Sequence, residues 1–228
     1  MTTTPRFSAD TLTFLRALER NNRREWFEAH RGDYEQYIRQ PMTALVNRLA
    51  IDLRAFAPEL VASPKVSIYR IYRDTRFSEN KTPYKTHAAA VFPTRGLAKH
   101  EGAGAYFQIA PDGVWIGGGM YLPQPPQLLA VREHIAGHVK QLRAIIESPG
   151  FRTQLGALEG DKLSRVPRGF AKEHPAAEYL KFRRFVAGAD FPATLAMSPA
   201  FYKTLLAVFR QITPLIRFLN APLQKAGT

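Results

Sequence analysis

Between residues 105 and 121 the chain runs AYFQIAPDGVWIGGGMY. Two apolar and aromatic stretches flank Pro111-Asp112-Gly113, where the fixed φ of proline and the small glycine suit a tight turn. The segment is therefore predicted to be a β-hairpin. Working outward, AAAVF at 88–92 reads as another strand, and a further one is expected around Phe185 to Ala189. VSIYRIY at 66–72 alternates β-branched and aromatic residues, which predicts a strand delivering Arg70 and Arg73 to its end. Gly117-Gly118-Gly119 lacks the lysine and serine of a phosphate-cradling loop. Its expected use is to let a strand bend or another backbone approach. Together these pieces favour an antiparallel, or mixed, sheet.

Helical periodicity fills the rest. Phe7-Ser8 followed by Leu12 is a hydrophobic staple around a serine cap, opening a helix with Leu12, Leu15 and Leu18 inward. Asn22, with Glu25 three residues on, predicts a capped second helix carrying Trp26, Phe27, Tyr34 and Ile38. Pro41 suits the first turn of a third helix, and Pro123, Pro125 and Pro126 introduce one long helix over 126–147. A short helix follows Pro149, and a last helix over 199–219 contains Pro214, a residue that kinks helices. No repeat, linker or low-complexity tract divides the chain. The expected class is α+β, a single domain over 1–228 with helices packed around one sheet.

Composition narrows the chemistry. A 45% apolar and 22% charged chain is globular rather than disordered. The absence of cysteine removes disulfides, thiolate zinc sites and cysteine nucleophiles. The opening MTTTPRFSAD lacks the order of a signal peptide, and no apolar run approaches the roughly 18 residues of a membrane span. A cytoplasmic protein with no membrane partner is expected. Lysine and arginine number 32 against 19 acids, a formal +13 that draws anionic metabolites and polyanions without choosing among them.

The densest donor segment is RIYRDTRFSENKTPYKTH at 70–87. Arg70, Arg73, Arg76, Lys81, Lys85 and His87 face only Asp74 and Glu79, with hydroxyl residues, Pro83 and Tyr84 between them. Forked guanidiniums and hydroxyls aimed at one point are what a phosphate or carboxylate requires. Arg70, Arg73, Arg76, Lys81 and Lys85 are thus candidate anion ligands, and His87 and Tyr84 candidate proton-exchanging groups. Asp74 is placed to hold a neighbouring arginine fork. A second basic stretch over 165–184 offers Arg168 to close over the same anion.

Other signals are weaker. His134 and His138 share a helical spacing that suits a metal, yet no HEXXH pattern accompanies them, so no metal site is expected. GxSxG is absent. In the helix carrying Trp26, four acids nearly balance the basic residues, so it reads as an amphipathic packing helix with i,i+4 pairs.

Four stretches resemble a known family: NNRREWFEAHRGDYE at 21–35, RDTRFSENKTPYKTH at 73–87, GGGMYLPQPPQLLAVREHI at 117–135 and RVPRGFAKEHPAAEYLKFRRF at 165–185. They are similar to the bacterial family catalogued as domain of unknown function 2461. The resemblance implies a single domain and carries no established activity. It also implies aspartate where this chain has Asn80 and Glu173. Its motifs fall on the two donor-rich loops.

The expected function is binding of a phosphorylated or otherwise anionic small molecule through the basic loop, with acid/base catalysis as an extension. The alternatives are a nucleic-acid-binding or processing module and a non-catalytic interaction protein. No motif names a cofactor or an oligomeric state.

Overall fold

The computed structural model describes residues 5–76 and 78–224; residues 1–4, Phe77 and residues 225–228 of the predicted domain lie outside that range. Phe7 and Leu12 are buried on either side of Ser8, which enters helix α1 (Ala9–Arg20) in extended backbone as the staple predicts. The next helical stretch is more broken than expected. It comprises α2 (Arg24–Ala29), α3 (Arg31–Tyr34), a π-helical turn over Glu35–Arg39, and α4 (Gln40–Asp52) with Pro41 in its first turn. Arg23, not Asn22, occupies the cap position, because the Asn22 amide is engaged elsewhere.

VSIYRIY is not one strand. Pro64, with φ preset for a first helical turn, starts the single turn α5 (Pro64–Ser67). The Ser67 hydroxyl accepts the Ser63 N–H at 3.2 Å and donates to the Val61 carbonyl, fixing that turn. Beyond it the chain is extended, but it pairs only through isolated bridges, Ile68 with Ala90 and Tyr72 with Tyr84. The Arg73 and Lys85 N–H groups donate to the carbonyls of Pro83 and Ile71 at 2.8 Å each, so Tyr84 points its own backbone groups away from this ribbon.

The sheet itself follows expectation: β1 (Ala88–Pro93), β2 (Gly104–Ile109), β3 (Val114–Met120) and, after a helical excursion, β4 (Phe185–Phe191), in that spatial order with every pair antiparallel. The excursion holds α6 (Pro125–Gly137), α7 (Val139–Ile146), α8 (Pro149–Leu155) and α9 (Ala177–Leu180). The single helix predicted over 126–147 is divided at His138. There the imidazole Nδ1 lies 2.9 Å from the His134 carbonyl, the position a continuing helix gives to the backbone N–H, and Gly137 has no Cβ to resist the break.

An antiparallel sheet can cover one face and leave the other open. Helix α10 (Phe201–Gln224) covers the inner face and runs through both Pro214 and Pro222. Phe92 meets Phe209 edge-on at 5.3 Å, and Phe107 meets Phe201 at 6.3 Å. Buried Asn220 ties the end of this helix to the sheet by accepting the Ala103 N–H and donating to Thr94 and Ala103. One hydrophobic core runs from Phe7 to Leu219 and joins the helices to the inner face. The fold is α+β.

Candidate functional site

The basic loop spends most of its donors on its own shape. Arg76 forms a two-bond fork with Asp74 at 3.0 and 2.8 Å, which holds that carboxyl down at about 2. Arg73 donates to the hydroxyls of Thr82 and Ser78, and Lys81 donates to the Thr75 carbonyl. Asn80 Oδ1 accepts the N–H and hydroxyl of Thr82, a turn that an aspartate would make equally well. Arg70, Arg76 and Lys81 are exposed.

Tyr84 turns the other way. Its ring is 2% exposed and stacks on Phe27 at 4.2 Å, and burial pushes its hydroxyl pKa up. Its backbone is held by Asn22, whose amide donates to the Tyr84 carbonyl at 2.9 Å and accepts the Tyr84 N–H at 3.0 Å. This side-chain amide replaces a neighbouring strand and anchors the C-terminal half of the loop to α2.

Alternation then carries the following residues toward the uncovered sheet face. A cavity of about 610 Å³ lies there, within the range of ligand sites. Register sets three rows of residues on this face: Pro93, Gly104, Gly119 and Val186, all of which line the cavity; Val91, Tyr106, Gly117 and Gly188, of which Val91 and Tyr106 line it; and Ala89, Gln108, Trp115 and Asp190, of which Gln108 and Trp115 line it. The Trp115 indole lies back over the second row, where a methyl on Gly188 would strike its six-membered ring. Gly119, at φ 125°, takes a conformation that side chains resist, and the Phe185 carbonyl occupies the space a Cβ there would need. Walls come from Tyr69, Lys85, His87, His100, Tyr121 and Leu122.

The electrostatics have one sign. The lining includes one lysine and two histidines and no acid. Lys85 Nζ donates to the carbonyls of Arg70 and Tyr72 at 2.7 and 2.9 Å and sits 5.8 Å from the Tyr69 ring centre. Burial, then Arg70, Lys99 and Arg73, lower its pKa. Lys99 covers the same tyrosine ring at 4.2 Å. Burial and Lys85 lower the pKa of His87, burial and Lys99 that of His100, and burial alone pushes Tyr69 up to about 12. Among the described residues no carboxylate pairs with Lys85 or Lys99.

Of the residues singled out in the sequence, the cavity thus gathers Lys85 and His87. The Arg70 and Arg73 guanidiniums act on it through their charge on Lys85, and the Arg70 carbonyl holds the Lys85 ammonium. Arg168 is exposed beside Gly169 and is not in the lining. His134 packs against Phe218 at 4.6 Å and against His138, and Trp26 stacks on His30 at 4.1 Å. Among the described residues no group of three or more metal-ligating side chains is close enough to share an ion, and no helix is long and apolar enough to cross a membrane. Tyr69, His100, Tyr106, Gln108, Trp115 and Tyr121 escaped the sequence reading. Period-two alternation already set Tyr106, Gln108 and Trp115 on one face, but nothing local linked them to Tyr69 or His100.

No curated protein and no solved structure matches the chain. A family model described as a conserved hypothetical protein matches residues 10–218, so it spans the loop, the sheet and most of α10. The chain belongs to that family, domain of unknown function 2461.

Proposed function

We propose that the protein binds an anionic small molecule, phosphate- or carboxylate-bearing, in the cavity on the open sheet face. The observation carrying this reading is a bounded cavity lined by Lys85, His87 and His100 with no acid among its walls. Lys85 has committed two of its three N–H bonds to carbonyls, which aims the ammonium and leaves one donor. An uncompensated positive group in a partly desolvated site attracts an anion more strongly than the same charge in water. His87, its pKa lowered, is neutral near pH 7 and is the group placed to take a proton from a ligand.

Calorimetric titration with inorganic phosphate tests the proposal. Saturable binding that falls at least tenfold in both Lys85→Met and His87→Gln is expected. Absence of binding to the wild type, or equal binding by all three proteins, overturns it. The +13 charge also motivates a nucleic-acid reading. Its mark would be affinity for single-stranded oligonucleotides that falls steeply with salt and ignores both substitutions.

A further inference from the structure

We infer that the anion this cavity takes is carried on a planar aromatic or heteroaromatic ring, which lies flat on the sheet between Tyr106, Trp115 and Tyr121. The inference rests on the anion-binding reading above and adds the class of molecule.

The floor is the first reason. Gly104 and Gly119 are partners in the β2–β3 register, and both line the cavity. With Pro93 on one side and Val186 on the other, this row gives a shelf of backbone and low side chains. A flat group can approach such a shelf to van der Waals distance, whereas a branched sugar or aliphatic chain leaves gaps along it. The walls are the second reason. His100, Tyr69, Tyr106 and Trp115 form a chain of touching rings, with centroids 5.9, 6.2 and 5.8 Å apart in sequence. Tyr121 closes the opposite side beneath the Arg184 guanidinium, 5.2 Å from its ring centre. Rings packed at these separations exploit edge-to-face and stacked contacts, and a ring-bearing ligand extends the series.

Polar groups divide accordingly. Tyr106 donates its hydroxyl to Gln108 Oε1 at 2.9 Å, leaving the Gln108 amide N–H bonds without a partner among the described residues. That amide is a donor for a ring nitrogen or exocyclic oxygen. Lys85 and His87, coming from the loop rather than the sheet, are left for the anionic group. The structure therefore separates a ring-binding sheet face from an anion-binding loop.

Trp115 reports on the site directly, because the chain's only other tryptophan, Trp26, is stacked on His30 and packs 5.8 Å from Phe14. In Trp26→Phe protein, tryptophan emission and calorimetry are followed against phenyl phosphate, methyl phosphate and phenol. Phenyl phosphate is expected to change the Trp115 emission and to bind roughly tenfold or more tighter than methyl phosphate, the worth of one stacked ring. Tyr106→Leu should erase most of that preference. Tyr121→Ala, at a position 59% exposed that folding does not require, should reduce the preference in the same way. Equal binding of the two phosphates overturns the ring inference and leaves the anion reading standing. Phenol binding as tightly as phenyl phosphate, with methyl phosphate inert, overturns the anion reading and leaves a ring site that needs no anion. No response to any of the three overturns both.

Discussion

Asn22→Ala should destabilise the protein although the residue lies at a helix start and only partly out of solvent. Its amide makes two hydrogen bonds to the backbone of Tyr84, 62 residues away, and Tyr84 is buried. Truncation leaves a backbone N–H and a backbone C=O without their partner, and an orphaned group of this kind costs roughly 1–3 kcal/mol. Water can reach the partly exposed amide site, so the lower end applies to each group and the sum is about 2 kcal/mol. For a chain of this length that amounts to a fall of roughly 4–8 °C in Tm. Urea denaturation and thermal melting followed by circular dichroism provide the measurement. Asn22→Asp keeps the acceptor for the Tyr84 N–H but loses the donor, and should cost about half as much. The Lys85 amide, bonded to the Ile71 carbonyl one residue beyond the clamp, should exchange its proton faster in both variants. An Asn22→Ala protein within about 0.5 kcal/mol of wild type, the range of an unremarkable surface change, would refute the claim that this amide anchors the loop.

Three further outcomes follow from the site. Gly188→Ala puts a methyl into the Trp115 ring and should cost about 1–3 kcal/mol in urea denaturation and shift the tryptophan emission; an unchanged spectrum contradicts the indole's placement. Burial and Lys85 hold the His87 pKa below its unfolded value near 6.5, so the unfolded chain binds more protons in that window. Stability from this group is then complete above about pH 6.5 and is lost as pH falls toward the folded pKa; His87→Gln should remove this part of the acid-side slope, leaving the parts that His100 and the lowered carboxyls contribute. Arg76→Ala should leave both the melting temperature and phosphate affinity unchanged, since that guanidinium is exposed and paired with Asp74. A tenfold loss of phosphate affinity in Arg76→Ala would return the site to the outer side of the loop.

The sheet was legible because its signals are local: alternation in Ala105–Tyr121, a Pro-Asp-Gly turn, and one face apolar enough to need α10. Misreadings arose where side chains compete for backbone groups. Asn22 looked like a cap and instead serves a distant tyrosine, and His138 takes a carbonyl that would have continued α6 into α7. Ser67 with Pro64 folds the front of VSIYRIY into a turn. The site was half legible for the same reason. Composition marked the loop 70–87, but which of its cations converge depends on the parity of Lys85 and His87 against Tyr84 and on where Asp74, Thr82 and Thr75 absorb the others. On the aromatic face opposite them, Tyr69 precedes Tyr106 by 37 residues, a distance across which sequence periodicity carries no information.

The central claim is that anion recognition belongs to the open sheet face and not to the exposed arginines. A crystal structure of the protein grown with inorganic phosphate tests it most directly. The account predicts phosphate inside the cavity, within hydrogen-bonding distance of Lys85 Nζ and the His87 imidazole. Phosphate bound instead at Arg73, Arg76 or Arg168, with the cavity holding only water, would contradict it.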